Sequence, residues 1–197
     1  IEWTFKTNGS DRAIDVAEFY VDQLTWANLG APTDAPTNNA PVVDLNGGDD
    51  GNDSAASFTE GDDAVQIAPS GTVADAESDT IKTITVELTN RPDLNDEGLN
   101  VTAAAQNALT GVSDATDKTL QDTISITGAT ATLAEVQTFL QAITYNNTAS
   151  SPNETARTVT VVVNDGTDDS ISRTATVSVT PTNNAPVVDL NGGDDGN

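Results

Sequence analysis

The sequence has no cysteine, no histidine and no methionine, and each absence removes some chemistry. Without Cys there is neither a disulfide staple nor a thiol nucleophile. Without His there is no imidazole relay, and the usual zinc and copper ligands are missing. Basic residues are scarce: seven Lys and Arg stand against 31 Asp and Glu, a net charge of −24 over 197 residues. Such a surface repels nucleic acid and anionic membranes, so neither is an expected partner. No apolar run approaches the roughly 18 residues of a membrane span, and no charged segment leads into a signal-type apolar stretch. Direct membrane insertion is therefore not expected. What remains is oxygen chemistry: carboxylates, amides and hydroxyls, which suit hard cations.

The clearest pattern is an internal repeat. Pro36-Thr-Asn-Asn-Ala-Pro-Val-Val-Asp-Leu-Asn-Gly-Gly-Asp-Asp-Gly-Asn52 recurs letter for letter at residues 181–197, an offset of 145 residues. That period is too long for a solenoid unit and suits a whole domain in tandem. The reading is a linker at 36–40, one complete repeat at 41–180, a second linker at 181–184 and the start of the next repeat at 185–197. Residues 1–35 differ in kind, since Trp3, Phe5, Phe19, Tyr20 and Trp26 are most of the few aromatics in the chain. They are read as the C-terminal fragment of a preceding β domain, too short to bury a core alone, which packs on the repeat, pairs or exchanges a strand with another chain, or completes a domain that begins upstream of Ile1. Lack of Met and an opening Ile1 of mid-strand type lead us to expect a piece of a longer polypeptide.

Inside the repeat the dominant signal is period-two alternation in Thr- and Val-rich segments. Ile84, Val86 and Leu88 alternate with Thr83, Thr85 and Glu87. Val159, Val161 and Val163 do the same, as do Ala175, Val177 and Val179. Shorter strand candidates lie at 42–45, 64–68, 99–103, 123–127 and 143–146. The one helical pattern is 133–141, where Leu133, Val136 and Leu140 share a face and Thr132 is placed to cap. Seven or eight short strands with Asn/Asp/Gly turns predict an all-β, immunoglobulin-like β-sandwich with one short helix, in tandem.

Phe58-Thr-Glu-Gly-Asp62, Val73-Ala-Asp-Ala-Glu-Ser-Asp79, Ile143-Thr-Tyr-Asn-Asn-Thr148, Val163-Asn-Asp-Gly166 and Thr182-Asn-Asn-Ala-Pro186 together resemble the cadherin-like repeats of giant bacterial adhesins and RTX-type surface proteins. The resemblance covers residues 36–197. It implies sandwiches joined end to end with calcium (Ca2+) in the joints, acting as extenders at the bacterial cell surface in adhesion and biofilm formation. The partners it implies are neighbouring repeats of the same polypeptide, and no enzyme activity is implied.

Topology can be set beside that implication. In such a sandwich the loop holding Asp75, Glu77 and Asp79 and the hairpin holding Asp165 return to the end where the linker residues Asn38 and Asn39 arrive. Three segments could then supply the 6 to 8 oxygens that calcium takes. Carboxylates gathered there without a cation would repel by about a kcal/mol or more per pair. At the opposite end Glu60, with Asp96 and Glu97 nearby, faces the outgoing Asn183 and Asn184, a second candidate joint. The bland readings stand beside these: Asn46 to Asp53 and residues 163–166 serve equally as plain turns, and Asn38 and Asn39 as caps. A glycosidase carboxylate pair is disfavoured because the acids sit in turns and linkers. The alternative function is a carbohydrate- or partner-binding role for the sandwich; a lectin role of the aromatic-rich segment would place its site upstream of residue 35.

Overall fold

The structure is a computed structural model that describes residues 37–77 and 80–183. Segment 1–35, Asp79, Asn184 and residues 185–197 lie outside the described residues. The described chain is mostly β-sheet, consistent with an all-β sandwich. Its strands are β1 (Val42–Asp44), β2 (Ser54–Thr59), β3 (Val65–Gln66), β4 (Thr72–Ala74), β5 (Ile81–Leu88), β6 (Glu97–Val101), β7 (Lys118–Gln121), β8 (Thr123–Ala131), β9 (Thr144–Asn147), β10 (Arg157–Asn164) and β11 (Arg173–Thr180). Five of them form one sheet in the order β2-β11-β10-β5-β8, four form a second in the order β3-β9-β6-β7, and β1 pairs with β4.

The alternation explains the core. Ile84 and Val86 of β5, Val159, Val161 and Val163 of β10, and Ala175 and Val177 of β11 are all buried from solvent. From the other sheet come Leu99 and Tyr145, and the Phe58 and Tyr145 rings meet edge to face with centroids 5.6 Å apart. A sheet with one face buried must alternate this way, because successive side chains point to opposite sides.

The solvent face of the five-stranded sheet follows from the same periodicity. Cross-strand partners set Thr176 beside Thr158 and Thr174 beside Thr160, Thr160 beside Glu87, and Thr83 and Thr85 beside Thr127 and Ser125. Ser178 pairs with Ser57 at the sheet edge. Glu87 brings a charge into this face, while Lys82 lies at its rim, where a bulge between Ile81 and Thr83 shifts the register. The rest is chiefly hydroxyl and methyl groups, with Val162 beside Thr85 and the Asn164 amide beside Thr83.

The expectation of one short helix needs correction, because the described residues hold two α-helices and a single 3-10 turn at Leu94–Asp96. The expected one, α2 (Leu133–Ala142), starts in a capping box: Thr132 accepts from the N–H of Glu135, whose carboxylate accepts from the Thr132 N–H. The other, α1 (Ala103–Asn107), is capped by Thr132's counterpart Thr102, which accepts from Ala105 N. Its run of three alanines has high helix propensity but no apolar period to reveal it. Strands β2, β4 and β7 also fell outside the expected set. Ser54-Ala-Ala-Ser-Phe-Thr59 is poor in β-branched residues and forms a strand because Ala56 and Phe58 face inward opposite Val177 and Val179.

Strands β2 and β11 run parallel, so the end at which β11 begins also receives the incoming chain, and the end at which it stops releases the outgoing chain. Linker positions thus fall at opposite poles of the sheet.

Candidate functional site

At the incoming pole the linker amides lie among carboxylates. Asn38 Nδ2 donates to Asp165 Oδ2 at 2.9 Å and to Asp168 Oδ2 at 2.8 Å. Asn39 donates its backbone N–H to Glu77 Oε2 at 3.1 Å, and its side-chain amide donates to Glu77 Oε1. Glu77 N–H in turn donates to Asp75 Oδ1 at 3.0 Å. The linker, the loop before β5 and the β10–β11 hairpin therefore meet, and they carry Asn38, Asn39, Asp75, Glu77 and Asp165 together.

The hairpin builds its part locally. Asp165 Oδ1 accepts the N–H groups of Thr167 at 2.7 Å and Asp168 at 2.9 Å, an Asx turn. Asn164 pairs with Asp169 across its base. Asn164 Oδ1 accepts from Gly166, whose φ of +108° favours glycine. The turn brings Asp168 back onto the same side as Asp165, which sequence reading did not anticipate. Partial loss of water raises the Asp165 carboxyl, but the N–H of Asp168, the Asn38 amide and the N–H of Thr167 outweigh it. Its pKa is held below the usual carboxylate value, so the hairpin presents an anion.

The donors are all oxygens, or amides whose oxygen and nitrogen exchange places when the group turns over. Turning Asn38 would aim Oδ1 where Nδ2 now lies, between two carboxylates, and that oxygen-only set is of the kind calcium takes. As the side chains stand, no three carboxylates among the described residues are close enough to hold an ion by themselves.

The outgoing pole is arranged differently from the expectation. Glu60 Oε2 accepts the N–H of Thr182 at 2.8 Å and so grips the departing linker by its backbone, and Asn183 follows, exposed. Glu97 does not belong to a joint. It is wholly buried, and its carboxylate binds Arg157 Nε and the Tyr145 hydroxyl, each at 2.6 Å, and the N–H of Asp93 at 2.7 Å. It opens β6 on the inward side, in step with Leu99 and Val101, where a charged group persists only if it is paired. Asp96 is exposed, and its backbone carbonyl accepts from Thr148. The run from Asn46 to Asp53 forms a hydrogen-bonded turn in which Asp44 Oδ1 accepts from Asn46 and Gly47 at 3.0 and 2.9 Å.

Comparison with protein families, with curated proteins and with solved structures gives no match.

Proposed function

We propose that residues 41–180 are one calcium-stiffened extender repeat, of immunoglobulin or cadherin-like type, in a large extracellular bacterial adhesin or surface filament. The observation that carries this reading is the insertion of Asn38 and Asn39 among Asp165, Asp168 and Glu77. A linker whose amides are bound by two loops of the domain it enters has its angle to that domain restricted. Because residues 181–197 repeat 36–52, Asn183 and Asn184 would enter the following repeat in the same way, while Glu60 holds Thr182 from behind.

Calcium would be held at the incoming pole by Asn38, Asn39, Asp75, Glu77, Asp165 and Asp168, with Asp79 on the same loop. At the outgoing pole Glu60 and the next linker's Asn183 and Asn184 would contribute. The metal's role is to neutralise carboxylates that otherwise repel, and so to fix the joint. Motif order along 36–197 supports the family reading, and linkers at opposite poles support end-to-end stacking.

Thermal melting in calcium, in magnesium and in chelator tests the metal. An ion bound only by the folded state stabilises by RT ln(1 + [L]/Kd), about 2.7 kcal/mol at a hundredfold excess over Kd. Calcium should raise the melting temperature by several degrees, and magnesium by less, since it demands a tighter octahedral shell. Identical curves in all three would end the metal proposal.

A further inference from the structure

The hydroxyl face of the five-stranded sheet stands out against the charge of the chain. In a protein of net charge −24 most acids of the described residues lie in loops, whereas the outward positions of β2, β11, β10, β5 and β8 are chiefly Thr and Ser, with Val162, Asn164 and Glu87 among them. We propose that this face pairs with the same face of a second copy of the repeat, so that neighbouring filaments cohere side by side.

Three observations lead to that occupant. Charge comes first: two copies this acidic repel wherever their loops meet, and this face opposes only one strand carboxylate per copy, Glu87. The second is chemical. Threonine hydroxyls donate and accept, so a Thr lattice complements itself with no need for a differently built partner, and a two-fold interface requires that kind of self-match. The third is extent. Five strands about 4.8 Å apart and six to nine residues long present about 600 Å² per copy, or about 1,200 Å² for the pair. That is the size of a weak, reversible contact, which repetition along tandem filaments would multiply through effective concentration. The proposal uses no metal and stands apart from the calcium reading.

Sedimentation equilibrium on the full chain in chelator, at rising salt, tests it. A reversible monomer–dimer equilibrium is expected, tightening as salt screens the acidic loops, which is the reverse of an interface held by ion pairs. Glu87→Thr removes the opposed carboxylates and should tighten dimerisation about tenfold. Thr85→Glu adds a carboxylate within the face and should weaken it by a similar factor. Ala104→Glu adds the same charge on α1 and should have little effect, and far-UV circular dichroism checks that each variant is folded. The proposal is overturned if the parent stays monomeric at every concentration and salt. It is equally overturned if Ala104→Glu weakens pairing as much as Thr85→Glu does, or if Glu87→Thr fails to tighten it.

Discussion

Asn38 and Asp168 lie 130 positions apart in the chain and meet through an N–H···O bond of 2.8 Å. The same amide also reaches Asp165, so one linker side chain ties two acids of the hairpin to the incoming chain. If that arrangement supplies calcium ligands, Asp168→Ala should weaken calcium binding about tenfold or more by titration calorimetry, as Asp165→Ala should. Asp62→Ala, an exposed acid elsewhere, should leave the isotherm unchanged. An unaltered isotherm for Asp168→Ala would remove the hairpin from the site.

The buried polar group at the outgoing pole makes a stability prediction. Arg157 joins Glu97 at 2.6 Å with neither side chain exposed, and Asp93 closes on the same guanidinium. Removing Glu97 leaves the buried guanidinium to Asp93 alone and strips Arg157 Nε, the Tyr145 hydroxyl and the Asp93 N–H of their acceptor, so Glu97→Ala should cost about 3–5 kcal/mol in denaturant unfolding. Glu97→Leu combined with Arg157→Met should cost much less than the sum of the two single changes. Additive losses would mean that the pair is not coupled.

Tyr145 makes the high-pH limit specific. Burial pushes its hydroxyl pKa upward, and its hydrogen bond to Glu97 adds to this. The unfolded chain ionises Tyr near pH 10 while the folded one does not. The corresponding stability is therefore complete below pH 10 and declines as pH climbs toward the folded value. Unfolding free energy should fall above pH 10, and in Tyr145→Phe that dependence should flatten, with a lower baseline from the lost hydrogen bond, about 1–2 kcal/mol. An equal slope in both proteins would assign the alkaline loss to other groups. Asp165 acts in the opposite direction: its lowered pKa gives stability that is present above the ordinary carboxylate value and is lost as pH falls through the folded one.

Strands β5, β10 and β11 were legible because alternating Val and Thr leave one face to bury. The meeting of linker, loop and hairpin at one pole was legible from strand directions alone. Asp168 was not, because Asn-Asp-Gly reads as a tight turn ending at residue 166, whereas the Asx turn on Asp165 carries the chain two residues further before it closes. Glu97 was misread as a loop acid. A signal existed: Arg157 has the same parity as Val159, Val161 and Val163, so a cation was aimed at the core and required a buried acid. Strand β7 carries a contact that single-sequence reading cannot reach. It approaches β6 so closely that a Cβ on Gly98 would lie 2.2 Å from the Leu120 backbone.

If calcium fixes the angle between successive repeats, as proposed, small-angle scattering on a polypeptide of three tandem repeats will register it. Each repeat, built on strands of about eight residues and capped by loops, should add a few tens of ångströms to a rod whose joints are held. In calcium the maximum dimension should lie near the sum of the repeat lengths, and in chelator the distance distribution should be shorter and broader. The same distribution in both conditions would contradict the proposal, even if calorimetry shows that calcium binds.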